Sequence, residues 1–297
     1  MRRWWRASAL SGAVALALTG CASGPDSGGE PADEPPPSAG PAVFQPQNFT
    51  CHPFDQETVD VSTYRPVDCA EKHQAETLHV GTFTGEHARR DIPPAYGAPS
   101  WAVAHADCDR AVARELGADW RTGRLDLAVV LPTLALWQDG ARWYRCDVAE
   151  VTSLDDDTVT SRTGSLKGAL TGTGPLSLGC VTAPPASDDI GEMTPVACAE
   201  KHHAEFVGVY QATEDSFRSF FANEDAVHRR CLRLVADYAA VPNDSTLANR
   251  VRTVVDHPSE QEWKFGDRGV RCFLWREDPL TRSVRGGGTR ALPVQFG

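Results

Sequence analysis

Cys69-Ala70-Glu71-Lys72-His73-Gln74-Ala75-Glu76 returns 129 residues later as Cys198-Ala199-Glu200-Lys201-His202-His203-Ala204-Glu205, identical at seven of eight positions. Chance does not produce such a match, and an internal repeat of this kind governs the whole fold. The cysteine spacing extends it, for Cys51 stands 18 residues before Cys69 and Cys180 stands 18 before Cys198. The ends of the two units match at an offset of 126: Pro132, Trp137, Gly140, Arg142, Arg145 and Cys146 answer Pro258, Trp263, Gly266, Arg268, Arg271 and Cys272. Each unit therefore holds four cysteines in the same order.

Between these motifs the periodicity predicts one helix per unit, carrying the third cysteine. In the first unit Ser100 is a candidate cap for Trp101, Ala104, Cys108, Ala111, Val112 and Leu116, which share one helical face before Gly117. In the second, Asn223 precedes Glu224 and Asp225, acids suited to a helix start, and Val227, Cys231, Leu234, Val235 and Tyr238 form the stripe. Strand-like runs follow at Leu125 to Leu131 and Val251 to Val255, each closed by a proline. A short irregular segment then reaches the tryptophan, a turn forms at Asp139-Gly140 or Gly266-Asp267, and a last strand carries the fourth cysteine. The fold class is thus α+β: two repeated small disulfide-braced domains, each a helix packed on an antiparallel or mixed sheet. The expected boundaries are 48–152 and 176–280, with a linker over 153–175 in which Ser165 to Leu170 and Pro175 to Leu178 could form edge strands, and a loose tail over 281–297.

The start of the chain reads as an address. Arg2, Arg3 and Arg6 precede an apolar run from Ala7 to Leu18, shorter than the about 20 residues that span a bilayer. Leu18-Thr19-Gly20-Cys21 has the form of a lipobox, so residues 1–20 are expected to be a signal peptide and Cys21 a lipid-bearing N-terminus, palmitate included. Two or more acyl chains hold a protein stably on a membrane. Residues 21–47, poor in anything that packs a core, form a disordered tether averaging about 25–30 Å end to end. The expected location is the extracytoplasmic face of the cell membrane. Nine cysteines become eight once Cys21 is acylated: Cys51, Cys69, Cys108, Cys146, Cys180, Cys198, Cys231 and Cys272, in a compartment where disulfides persist. Four cysteines per unit allow three pairings, and the matched spacing favours the same one in both. With 29 basic and 40 acidic residues the chain carries net −11, which disfavours nucleic acid as a partner.

The repeated motif brings thiol, imidazole and carboxylate within eight residues. His73, Glu76, His202 and Glu205 are candidate ligand-binding residues, and Cys, His and carboxylate all ligate zinc. Against this, Cys-x3-His is not a structural zinc spacing, and on a strand positions three apart face opposite ways, so each pair converges only if a turn intervenes. The structural reading has the cysteines oxidised and the His and Glu bonded to backbone. Trp137 and Trp263 are candidate platforms for sugar rings, weighed against core packing. Arg142, Arg145, Arg268 and Arg271 are read as solvated or salt-bridged to the acidic surface. The chain has no Gly-x-Ser-x-Gly, Ser-x-x-Lys, phosphate-binding glycine loop or Cys-x-x-Cys, so catalysis is not expected, and neither is a metal or other cofactor.

A cysteine leading into His-x-x-Glu, a cysteine-bearing helix, then Pro, Trp, a Gly-Asp-Arg-like turn and a final cysteine together resemble the septum formation family of actinobacterial envelope proteins. The sequence departs from the family at Lys72 and Lys201, where members usually carry proline. The resemblance implies a non-catalytic binding or scaffolding module of the envelope, connected with cell division or wall assembly, with a protein or cell-wall partner. The alternative is a metal- or small-ligand-binding sensor built on the Cys-x3-His-x2-Glu segments. Non-reduced intact mass separates the two: four disulfides lower it by about eight hydrogens without adduct, whereas a sensor with free thiols retains its metal.

Overall fold

The cysteines pair within each repeat, and in the same way in both. Cys51–Cys69 and Cys180–Cys198 each close an 18-residue span, while Cys108–Cys146 and Cys231–Cys272 tie a helix to a central strand over 38 and 41 residues. The computed structural model describes residues 43–54, 58–154, 158–186 and 189–294; the leader, Cys21 and the tether up to residue 42 lie outside them. Val43 to Gly297 form one compact unit.

The first half runs β1 (Thr50–His52), β2 (Thr58–Val59), β3 (Ala75–Thr82), a short α1 (Gly85–Ala88), α2 (Pro99–Leu116), β4 (Leu125–Pro132), α3 (Leu134–Gln138), β5 (Trp143–Val151) and β6 (Val159–Thr160). The second runs β7 (Cys180–Thr182), β8 (Pro185–Ala186), β9 (Asp189–Ile190), β10 (Thr194–Val196), β11 (His202–Gln211), α4 (Phe217–Phe221), α5 (Glu224–Ala239), β12 (Arg252–Asp256), α6 (Glu260–Phe265), β13 (Gly269–Leu280) and a short α7 (Gly288–Ala291). The sheets order as β1-β3-β5-β4-β2, with β6 on β5, and as β10-β7-β11-β13-β12. All pairings are antiparallel except that of β2 with β4, and the fold is α+β.

Local chemistry explains the helix limits and corrects one of the expected caps. Pro99 occupies the first turn of α2, where its missing N–H costs nothing, and Ala98 takes the cap position. Ser100 lies inside the helix and its hydroxyl meets His87 Nδ1 at 2.8 Å. Gly117, at φ 91°, ends the helix as expected. Asn223 stands at the cap of α5 without a side-chain bond. The segments before the tryptophans, expected to be irregular, are the helical turns α3 and α6, and α6 is set by a capping box between Ser259 and Glu262.

The stretch expected to link the units is the closing arm of the first. It forms no strand over 165–178, and Leu166, Leu170 and Leu176 are buried in the core with Leu116, Leu125 and Trp137. Gly168 N–H donates to Glu115 O and Leu170 N–H to Leu116 O, so the arm crosses the end of α2. The tail expected to be loose does the same in the second unit: Val284 and Leu292 are buried beside Val235 and Ala239, and Gly286 N–H donates to Tyr238 O. Phe44, placed in the tether by sequence, packs on Tyr64 and Trp143.

The outer sheet faces, away from the helices, differ between the repeats. In the first, Val130, Leu136, Ala141 and Trp143 pack under Val59, Tyr64 and Phe44. At the matching positions the second carries Asp256, Glu262, Asp267 and Gly269, and this polar face receives Arg121 of the first repeat. Arg121 is 2% exposed; it donates to Asp267 Oδ1 at 2.6 Å and to Asp109 Oδ1 at 2.7 Å, and pairs with Asp119 at 3.2 Å. Burial works against its charge, but the Asp267, Asp109 and Asp119 carboxylates outweigh it and raise its pKa above the ordinary value. Gly269 makes room, since a Cβ there would stand 2.1 Å from Arg121 Nε. Removing one partner of a buried pair strands the other charge. Arg121→Met is expected to lower stability by about 3–5 kcal/mol in urea unfolding, and Gly269→Ala by about 1–3 kcal/mol through overpacking.

Candidate functional site

The second of the repeated His-x-x-Glu segments converges, on buried ground, whereas in the first His73 Nε2 has no partner among the described residues. In β11 the register with β13 slips between His202–Leu280 and Ala204–Trp275, which breaks the regular alternation of faces. His202 Nε2 thereby meets Glu205 Oε1 at 3.1 Å without the intervening turn that sequence required. Glu205 also accepts from Tyr238 Oη at 2.7 Å, Ser283 Oγ at 2.7 Å and Val284 N–H at 2.9 Å. In the first repeat Glu76 accepts from Ser165 Oγ at 2.7 Å and from Leu166 N–H. Ser165-Leu166 and Ser283-Val284 are thus equivalent hooks, and the carboxylates latch the closing arms. Both histidines donate Nδ1–H to a carbonyl two residues back, His73 to Glu71 O and His202 to Glu200 O, each at 2.8 Å, and the His202 Nε2–Glu205 contact holds a second proton between ring nitrogen and carboxylate oxygen.

Cys51, Cys69 and Glu76, and likewise Cys180, His202 and Glu205, place ligand-type atoms within 4.8 Å of one another. These donor sets do not suit a metal. The sulfurs are spent in disulfides, the carboxylates are saturated with donors, and His73, Glu76, His202 and Glu205 are at most 1% exposed. Trp137 and Trp263 are also buried, under Arg142 and Arg268 stacked at 4.2 and 4.0 Å, and neither offers a face to a sugar. The arginines expected at the surface are held inside or against it. Arg145 is fully buried with Asp147, and Arg271 donates to Asp256 and to Arg121 O.

One buried chain has the residue types of a hydrolase triad in the wrong order. Thr77 Oγ donates to Asp147 Oδ1 at 2.7 Å, and His52 Nε2 lies 2.9 Å from that hydroxyl. The threonine proton goes to the carboxylate, so His52 donates to the hydroxyl and cannot act as its base. Its remaining nitrogen, Nδ1, is buried without a partner. Burial, partly offset by Asp147 and reinforced by Arg145, pushes the His52 pKa down to about 4.

Two accessible grooves are counterparts of each other in the two repeats. A cleft of ≈ 690 Å³ lies between the repeats, with Tyr96, Trp101 and Phe265 of α6 clustered on one side and β4 on the other, and His105 in its lining. A second, of ≈ 590 Å³, follows β12 beside Phe221, Val227 and His228. His105 and His228 each stand three residues before the helix cysteine. Sequence reasoning missed both grooves, because the apolar stripe hides a histidine and only tertiary structure brings α6 against α2. The one available signal was Pro93-Pro94-Ala95-Tyr96-Gly97, a proline-rich loop with an aromatic residue at its tip.

The described residues thus define a class: a disulfide-braced α+β body with buried polar latches and two open grooves, one along β4 and one along β12. The family model described as "Septum formation" matches residues 49–272, and the chain belongs to that family. Membership associates it with cell division or the envelope, and the family is not known as enzymatic. No curated protein and no solved structure matches the chain.

Two measurements test the site chemistry. Because folded His52 resists a proton that the unfolded chain accepts, stability is expected to fall by about 3 kcal/mol as pH drops from about 6.5 to about 4, and His52→Gln to flatten that slope. Glu205→Leu leaves three donors unpaired, each costing about 1–3 kcal/mol; limited proteolysis is expected to cut the 281–294 arm first.

Proposed function

We propose that this protein is exported, cut before Cys21 and anchored there by lipid, and that its body acts outside the membrane as a non-catalytic binding or scaffolding module in division or wall assembly. The observation that carries the reading is the fate of the repeated motifs. The candidate residues His73, Glu76, His202, Glu205, Trp137 and Trp263 are all buried in structural roles. Four disulfides support an oxidising compartment. Among the described residues no helix is long and apolar enough to cross a membrane, and the lipobox at Leu18 to Cys21 supports attachment by acyl chains.

The test is complementation of a depleted strain, with membrane fractionation and palmitate labelling. Wild-type protein is expected in the membrane fraction, labelled, and able to restore septum placement. Cys21→Ser is expected to be unlabelled, released and defective. Full rescue by an unlabelled, soluble Cys21→Ser protein would remove the anchored reading.

A further inference from the structure

The inter-repeat cleft has a feature that packing alone does not explain. His105 is 7% exposed, lines the cleft, and makes no hydrogen bond to any described residue. Its counterpart His228 bonds Thr253 Oγ through Nδ1 at 2.6 Å. The residue matching Thr253 in the first repeat is Leu127, so His105 has lost the partner that its repeat mate keeps. Its ring nitrogens open instead onto the cleft, where a ligand can reach them.

The walls say what kind. Tyr96, 58% exposed, packs edge-on against Phe265 at 4.1 Å and Trp101 at 5.0 Å, giving an accessible aromatic wall. Opposite runs β4, which pairs with β5 on one side and, among the described residues, meets β2 only at Leu131 and Pro132, so its edge at Asp126–Val129 faces the cleft. No lysine or arginine lines the space among the described residues, and four carboxylates do: Asp126, Glu262, Asp147 and Asp267. The last two are neutralised by Arg145 and Arg121. An anionic ligand has nothing to bind. Burial holds the His105 pKa below its ordinary value, so the imidazole is neutral and offers one donor and one acceptor.

We propose that this cleft binds a neutral carbohydrate chain, with Tyr96 and Trp101 against the C–H face of a sugar ring and His105 and Asp126 on its hydroxyls. Sugar rings present weakly positive C–H edges that suit the negative face of an aromatic ring. The volume and the position between two repeats are those of a small-molecule site. The proposal rests on the binding-module reading and names its ligand class.

The full chain, in a detergent without sugar headgroups, is titrated with N-acetylchitotetraose, maltotetraose and galactotetraose while tryptophan fluorescence is followed. At least one is expected to bind saturably below about 10 mM. Tyr96→Ala, at an exposed position, and His105→Leu are each expected to weaken binding about tenfold or more, with the melting temperature unchanged for the first and unchanged or raised for the second. A merely structural His105 would instead lower the melting temperature on replacement. No saturable binding to any of the three sugars, or binding indifferent to both variants, overturns the proposal. Binding of spermine, a cationic probe, in place of sugar and lost in the same variants overturns the carbohydrate class while leaving the binding-module reading standing.

Discussion

Two carboxylates with no solvent exposure, Glu76 and Glu205, constrain the architecture of their repeats. A buried carboxylate costs several kcal/mol unless donors surround it. Each repeat meets that demand by bringing back its own closing arm, whose serine hydroxyl and following backbone N–H complete the carboxylate's hydrogen bonds. The arm then covers the end of the helix, and the helix is held to the central strand by a disulfide. Satisfying one polar group thus organises the strand that bears it, the arm and the helix together. This accounts physically for the matched glutamates Glu76 and Glu205, since a shift in strand register or a shorter side chain would leave several buried groups unpaired.

A second constraint makes the two repeats complementary. The same sheet face is apolar in the first repeat and acidic in the second, because the first is covered by the chain's own β2 and N-terminal segment and the second by Arg121. Arg121 tolerates burial because three carboxylates surround it and Gly269 leaves space for its stem. Its contacts set α6 against α2, and that placement creates the cleft between the repeats.

The cleft and the latches divide the chemistry between them. The carboxylates Glu76, Glu205 and Asp147 are hydrogen-bonded in the interior, where they stabilise the fold. His105 differs from them, for it is buried in the same helix stripe as the disulfide cysteine yet turned to a space that a ligand can reach. The difference between His105 and His228 rests on one substitution, leucine for threonine on the facing strand.

The sequence alone determined the repeat, the cysteine order, the cysteine-bearing helix, the strand after it and the α+β class, since each depends on periodicity or spacing that short segments carry. Family membership was legible for the same reason. The choice among three disulfide pairings was not, because it depends on which Cβ atoms approach. The helical turns before Trp137 and Trp263 were partly legible, for Ser259 and Glu262 form a capping box that sequence displays, whereas Leu134–Gln138 offers no such signal. The closing arms were read as linker and tail because their compositions are polar and their few leucines lack period. Only tertiary structure decided that Leu166 and Val284 are core, that His202 and Glu205 meet on one strand, and that Arg121 and Phe265 of different repeats shape a cleft. Those outcomes depend on a register slip and on contacts between residues more than a hundred positions apart, which local pattern does not encode.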